Sequence, residues 1–275
     1  MPTDAETGSG DHGSVRWSRE GRVAAVTIFR PERKNAIDGE AAAQMAVLLD
    51  ELSVDDETRA IVIRGYGDTF CAGGDVRKAE GRQRTARERM EALAPYHRLT
   101  TVLANYPKPV VAAVDGVAFG AGFSLALLAD FIVVSDRARF CMAFQRIGLV
   151  PDLGAMYSLP RAIGLQRAKE LLLSGREVSA AEAREMGLAV DVVEPAALFA
   201  RALQLAESLS QASPVALACT KAGLAQTFTS DLQSMLSLEA AGQAIATDTE
   251  YFREAVRRLA AKERPQFKWP LPDGG

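Results

Sequence analysis

The run Phe119-Gly120-Ala121-Gly122-Phe123-Ser124-Leu125-Ala126-Leu127, set between apolar strands at Val110 to Val114 and Phe131 to Val134, constrains this chain more than any other stretch. Glycine at 116, 120 and 122 followed by unbroken apolar sequence predicts a tight turn that opens directly into a buried helix. The first N–H groups of such a helix have no partner inside it, so the turn offers a place for negative charge. A second glycine-rich turn, Phe70-Cys71-Ala72-Gly73-Gly74-Asp75, follows the strand Ile61-Val62-Ile63. Brought together, two such turns can aim two backbone N–H groups at one oxygen and form an oxyanion hole.

Around these turns the chain alternates strand and helix. Val15-Arg16-Trp17 and Val23 to Phe29 read as a hairpin turning at Arg19-Glu20-Gly21. Gly39 to Ser53 carries Met45, Leu48, Leu49 and Leu52 at helical spacing and leads into the strand Ala60 to Arg64, a strand–helix–strand unit with a right-handed crossover. Arg77 to Arg89 is charged and poor in apolar residues, which predicts a mobile surface segment of the kind that borders sites. Helical periodicity resumes from Met90 to Asn105 and stops at Pro107-Lys108-Pro109, and Val110 to Val114 is apolar on both sides, as a covered strand must be. A third unit, Phe131 to Ser135 with Arg139 to Met142, ends in Ile147-Gly148-Leu149-Val150-Pro151-Asp152-Leu153-Gly154. The succession suggests a repeated β-β-α construction.

Beyond Gly154 the pattern becomes mostly helical. Ser179 with Glu182 reads as a capping box, a short strand is expected at Ala189 to Val193, and Ser213-Pro214 starts another helix. The final helices, from Leu198 onward, carry apolar stripes wide enough for a subunit contact or for a lid on their own core. The expected organisation is a disordered leader at 1–13, an α/β core at 14–205 and a helical region at 206–275.

With 32 basic against 35 acidic residues and a net charge of −3, nothing predicts a nucleic-acid surface. Met1 to Gly13 is polar, and the chain has no long apolar stretch that predicts a membrane span. Cys71, Cys141 and Cys219 are odd in number and widely spaced, which argues against a disulfide framework and for a reducing cytoplasm. The basic loop Arg30-Pro31-Glu32-Arg33-Lys34-Asn35-Ala36 can be a solvated turn or a phosphate contact. Asp75 is expected to fix its loop, Asp130 to end the buried helix, and His97 to lie on an amphipathic helix.

Four motifs then point to one family. Phe70 to Asp75, the run Lys108-Pro109-Val110 to Gly116 with Gly120-Ala121-Gly122, the block Ile147 to Leu153, and Arg264-Pro265-Gln266-Phe267 resemble the successive signatures of the crotonase (enoyl-CoA hydratase/isomerase) superfamily. The resemblance spans about Val15 to Phe267. It implies an α/β fold, a crotonase-like spiral of ββα units with a C-terminal helical trimerisation region, assembled as a homotrimer or dimer of trimers. It implies an acyl-CoA thioester substrate, with coenzyme A as part of that substrate and neither a separate cofactor nor a metal. The thioester oxygen is then held by the N–H groups of Gly74 and Ala121.

The two glutamates of crotonase-type hydratases fall on Ser124 and Phe144 here, and neither can do a carboxylate's work. Asp152 stands where enoyl-CoA isomerases carry a single acidic base, in a run similar to that of the ring-epoxide and oxepin-type isomerases of aromatic acyl-CoA breakdown. One carboxylate suffices to take a proton from the α-carbon and return it at the γ-carbon. The resemblance therefore implies an enoyl-CoA isomerase. Two alternatives stay open: a hydratase or other lyase of fatty-acid or aromatic-acid degradation using Asp152 with water, or a non-catalytic acyl-CoA-binding homologue. In aromatic acyl-CoA dehalogenases the Asp152 position is a nucleophile and the His97 position is functional, but Phe144 replaces their orienting tryptophan. Apolar Phe144, Leu149, Leu153 and Met156 would raise the pKa of Asp152 and a following helix N-terminus would lower it; Asp152 as that helix's N-cap is the structural alternative. Arg30, Lys34 and Lys262 are expected on the coenzyme A phosphates, and Ala36, Ala72, Asp75, Val76, Ser124 and Phe144 along the substrate.

Overall fold

Val23–Ile28 and Val110–Val114 are buried at every position, so neither strand has a solvent face and each needs a covering layer on both sides. The computed structural model describes residues 8–79 and 85–270 and provides both layers. The first half runs β1 (Ser9–Asp11), β2 (Val15–Glu20), β3 (Val23–Ile28), α1 (Gly39–Val54), β4 (Ala60–Gly65), α2 (Ala86–Glu91), α3 (Ala94–Ala104) and β5 (Val110–Val114). It continues through β6 (Val117–Phe119), α4 (Ala121–Ala126), β7 (Phe131–Ser135) and β8 (Arg139–Cys141). The second half is α5 (Ala155–Ile163), α6 (Leu165–Ser174), β9 (Glu177–Ser179), α7 (Ala180–Glu185) and β10 (Asp191–Val193). Four helices close the chain: α8 (Leu198–Ser210), α9 (Pro214–Leu224), α10 (Leu232–Thr247) and α11 (Glu250–Ala260).

One sheet has the order β1-β2-β3-β4-β5-β7-β10 and a smaller one the order β6-β8-β9. The hairpin of β2 and β3 is antiparallel, whereas β3, β4, β5, β7 and β10 are parallel neighbours. Single bridges join Ile37 to Gly74 and Cys71 to Ala118, extending the inner layer in which β6 pairs β8. Each turn of the chain thus passes a long strand, a short inner strand or bridge, and a helix. This is the expected spiral of ββα units, with the glycine turns at its inner crossings.

Two cores hold it. Leu49 and Leu52 of α1, Leu99 and Leu103 of α3, and Phe123 of α4 pack on one face of the large sheet, together with Ile61 and Ile63. On the other face Leu198, Ala202, Leu205 and Leu209 of α8 cover Val62, Val111 and Val133. Trp269 returns from the C-terminus to meet Phe131 at 5.1 Å between ring centroids. Helix α8 is therefore part of the sheet's packing, and the expected boundary between residues 205 and 206 falls inside it.

Three local expectations change. Within the expected leader, Ser9–Asp11 pair with Arg16–Ser18, because Trp17 covers the bare backbone of Gly10; residues 1–7 lie outside the described residues. Within the expected mobile segment, Thr85 and Glu88 form a reciprocal capping box that starts α2, and residues 80–84 lie outside the described residues. Ser179 caps α7, but the Glu182 side chain turns to Arg176 rather than back to the cap.

Helices α9, α10 and α11 contain no buried residue, and Leu224, Phe228, Leu232, Ile245 and Leu259 are all more than half exposed. They are tied to the core through Lys221, whose Nζ donates to Asp130 Oδ2 at 2.5 Å and to the Lys108 carbonyl at 2.8 Å. The same Asp130 oxygen accepts the Val110 N–H at 2.7 Å, so the carboxylate links the end of the α4 segment, β5 and α9. Among the described residues no helix is long and apolar enough to cross a membrane.

The two glycine turns leave no room for a side chain at Gly122. A Cβ there would lie 2.3 Å from the Cys71 carbonyl oxygen and 2.8 Å from Cys71 Cβ, far inside contact distance. Gly122→Ala must push α4 off the 70–74 turn, and overpacking of this kind costs roughly 1–3 kcal/mol. We expect that loss in urea unfolding; unchanged stability would show that the turns can part without cost.

Candidate active site

A cavity of about 360 Å³ opens where the two turns meet. Ala72, Gly73, Gly74, Asp75 and Val76 form one wall, and Gly120 and Ala121 another. Leu93, just before α3, and Tyr96 within it line a third side, and the 143–152 segment supplies Phe144, Arg146, Ile147, Leu149 and Asp152. Each of Gly74, Ala121 and Asp152, the three residues expected to act on the substrate, therefore faces the same space.

The orientation of the two amides follows from the peptide planes. The Gly73 carbonyl accepts the Ile37 N–H at 2.8 Å. In a trans peptide the N–H points opposite to the carbonyl, so the Gly74 N–H is directed away from Ile37. The Gly120 carbonyl likewise accepts the Ser124 N–H at 3.0 Å along the helix, which directs the Ala121 N–H out of its beginning. Helix α4 has only six residues, so its polarity adds little and the two local peptides carry the field.

Asp152 is positioned by backbone strain. Leu153 (φ 49°) and Gly154 (φ 72°) are consecutive left-handed residues, and for leucine that conformation is costly. The Leu153 side chain is buried in the core, which holds the turn in place. Gly154, not Asp152, is the N-cap of α5, and no side chain caps that helix. The capping alternative is thus set aside: Asp152 gives the helix only its carbonyl, which accepts the Ala155 N–H at 3.1 Å. Its Oδ1 is buried, and among the described residues no group donates to it. Burial pushes the carboxyl up to about 6, against smaller opposing effects of its own N–H and of nearby His97. The direction left open by the sequence is therefore upward.

The other carboxylate on the wall, Asp75, is committed elsewhere. It accepts from Arg30 Nη2 at 3.3 Å, with Arg77 at 3.9 Å and Arg33 at 4.0 Å. It fixes its loop as expected, through arginine as well as through its own N–H to the Ile37 carbonyl. Arg30 corrects the expectation of a phosphate contact. It is 8% exposed, and its guanidinium is bonded to the Ala36 carbonyl, to Asp38 at 3.1 Å and to Asp75. A guanidinium so enclosed clamps the turn carrying Gly74 to the start of α1, where Asp38 also caps Ala41.

Lys34 is exposed, and its carbonyl accepts the Ala72 N–H at 3.0 Å, so its backbone steadies the first turn while its side chain stays free for solvent. Ala36 is buried behind Arg30, off the cavity wall. Lys262 is exposed at the end of α11 and is not on the wall. Ser124 is fully buried, off the wall, and donates through Oγ to the Gly120 carbonyl at 3.2 Å, so the expectation that it contacts substrate is corrected. Phe144 is the apolar wall that was expected, with its ring 3.8 Å from where a Gly120 Cβ would stand. Of the apolar neighbours expected for Asp152, Leu149 lines the cavity, Leu153 is core and Met156 is exposed.

Tyr96 went unnoticed in the sequence, where it reads as one more apolar position of an amphipathic helix. Its hydroxyl sits 3.5 Å from the Ile37 carbonyl. Burial, with the charges of Asp38 and Asp152, raises its pKa to about 12, so it stays a neutral donor. His97, the next residue, lies on the exposed side of α3. Among the described residues no cluster of three or more His, Cys, Asp or Glu side chains could hold a metal ion.

The arrangement brings two outward-directed backbone N–H groups and a buried carboxyl to one cavity, and comparison with known proteins gives the family. The pattern of the enoyl-CoA hydratase/isomerase family matches residues 18–270, and the chain belongs to that family. It is 38% identical over 247 residues to the 1,2-epoxyphenylacetyl-CoA isomerase of Escherichia coli, covering 89% of this chain and 94% of that protein. With the 2,3-dehydroadipyl-CoA hydratase of the same organism it shares 32% identity over 251 residues, 91% of this chain and 97% of the relative. The crystal structure of an enoyl-CoA hydratase/isomerase from Cupriavidus metallidurans superposes with a TM-score of 0.90 at 42% identity, covering 96% of this chain and 100% of that one. This chain is accordingly an enzyme of the acyl-CoA-processing hydratase/isomerase family.

The raised pKa of Asp152 makes a stability prediction. An acid whose pKa rises from 3.8 unfolded to about 6 folded makes unfolding release a proton between those values, so stability falls as pH rises through that window. The deficit is absent below the unfolded value and complete above the folded one, at about 3 kcal/mol. Asp152→Asn cannot ionise, so it should match the parent at about pH 4 and exceed it by up to about 3 kcal/mol at about pH 8 in denaturant unfolding. A gain of equal size at both pH values would contradict the buried-carboxylate account.

Proposed function

We propose that the chain is an enoyl-CoA isomerase that moves a double bond through an enolate held in a backbone oxyanion hole, with Asp152 as acid/base. The observation that carries this reading is the contrast, among the described residues, between the two carboxylates on the cavity wall: Asp75 is tied to arginines, and Asp152 is buried with an oxygen that has no partner there. In the proposed sequence, the ionised Asp152 takes a proton from the α-carbon of a 3-enoyl thioester. The electron pair moves into the thioester, and its oxygen gains negative charge against the N–H groups of Gly74 and Ala121. Removing one such donor typically costs about 10²–10³ in rate. The now neutral Asp152 returns the proton at the γ-carbon, and the double bond stands between the α- and β-carbons.

A pKa of about 6 suits both halves of that exchange near neutrality. The buried Ser124 and the apolar Phe144 support the reading from the other direction, since neither adds a second acid/base. Arg30 leaves Lys34 and Lys262 as the proposed phosphate contacts. The exposed apolar side chains of α9 to α11 support the homotrimer or dimer of trimers that is part of this proposal, as is the cytoplasmic setting in which Cys71, Cys141 and Cys219 stay reduced.

The test is a mass-resolved screen of 3-enoyl, 2-enoyl and aryl-acetyl CoA esters in heavy-oxygen water. Double-bond migration without solvent oxygen is expected, with kcat/KM falling about tenfold per pH unit below about pH 6. Asp152→Asn should bind acyl-CoA and lose isomerisation. Full turnover by that variant, or a 3-hydroxyacyl product carrying heavy oxygen, would replace this reading with hydration. Tight binding with no turnover of any ester would replace it with a binding protein.

A further inference from the structure

We infer that the Ser124 hydroxyl is a positioning group for the oxyanion hole: by donating to the Gly120 carbonyl it aligns and polarises the peptide whose N–H belongs to Ala121. The inference rests on the reading of Gly74 and Ala121 as the donors to the thioester oxygen. Ser124 is 0% exposed and off the cavity wall, so its hydroxyl cannot serve substrate directly. Its neighbours along α4, Phe123, Leu125 and Ala126, are all buried and apolar, and alanine would fill the position as well for packing. A buried hydroxyl needs a partner, and this one takes the Gly120 carbonyl at 3.2 Å, which already accepts the Ser124 N–H at 3.0 Å.

Two donors on one carbonyl have two effects on its peptide. Both lone pairs are occupied, so the plane loses freedom to rock and the opposite N–H keeps its aim. Each donor also draws electron density toward the oxygen, which leaves that N–H more positive in a low-dielectric interior.

The other amide repeats the pattern. The Gly73 carbonyl, behind the Gly74 N–H, accepts the Ile37 N–H at 2.8 Å and a side-chain donor, Cys71 Sγ, at 3.7 Å. Burial raises the Cys71 thiol to about 12, so it remains a protonated donor. Both amides are thus backed by one backbone and one side-chain hydrogen bond to the carbonyl of their own peptide. Of the two side-chain donors the hydroxyl is the stronger, because sulfur is a weak donor.

Ser124→Ala removes the side-chain donor and leaves the Gly120 carbonyl paired with the backbone. The probe is butyryl-CoA labelled with carbon-13 at the thioester carbonyl, observed bound by isotope-edited infrared difference spectroscopy. In the parent the carbonyl band should move below its free value, and in Ser124→Ala it should move part of the way back. The kcat for a 3-enoyl-CoA should fall about three- to tenfold, while the Kd for butyryl-CoA stays unchanged. Ser124→Thr keeps the hydroxyl and should restore both band and kcat. An identical band and kcat in Ser124→Ala, or an equal loss in kcat and butyryl-CoA affinity, would overturn the inference and leave the oxyanion hole standing. An unshifted band in the parent would overturn the hole itself, and the inference with it.

Discussion

The site depends on one steric fact, the absence of a side chain at Gly122. Without a Cβ there, α4 seats on the Cys71 carbonyl, and the turn at 70–74 comes level with the turn at 120–121. The inner bridges, Ile37 with Gly74 and Cys71 with Ala118, then join the three turns of the spiral side by side. Hydrogen bonds within the main chain do the rest, because a bond to each carbonyl determines where the N–H across the same peptide must point. A geometry of this kind is made before any substrate arrives and needs no side chain to move.

Around this neutral centre the charges are sorted by their partners. Arg30, Asp38 and Asp75 form a group under the first turn in which each charge is answered, and Asp75, although it lines the cavity, is held there by arginine. Their burial is tolerated because the guanidinium satisfies two carboxylates and a carbonyl at once. Asp152 has no such company. Its carboxyl is held at the cavity wall beside a left-handed leucine, and the desolvation that destabilises the fold also raises its pKa to about 6, which suits the proton transfer proposed for it.

Much of this was legible in the sequence where the signal was local. The glycines at 73, 74, 120 and 122 mark the turns by themselves, the buried strands declare themselves as unbroken apolar runs, and Asp152 stands out as an acid in an apolar block. What the sequence hid depends on partners far along the chain. Arg30 meets Asp75 across a separation of 45 residues, so a basic loop that reads as a phosphate contact turns out to be an internal clamp. Ser124 reads as a substrate contact because its position matches a hydratase glutamate, yet its side chain lies along the helix and bonds four residues back. Tyr96 and His97 are adjacent, but only the first faces the cavity, and the phase of α3 on its neighbours decides which. The pairing of β1 and the seating of α8 likewise depend on long-range contacts that periodicity alone does not reveal.

The central claim is that one carboxylate handles both ends of the proton's path. It is tested most directly by following deuterium placed on the α-carbon of a 3-enoyl-CoA during a single turnover in ordinary water. The account predicts that part of the label reappears on the γ-carbon of the 2-enoyl product, carried there by Asp152. A product with no label at the γ-carbon, formed as fast by Asp152→Asn as by the parent, would contradict it.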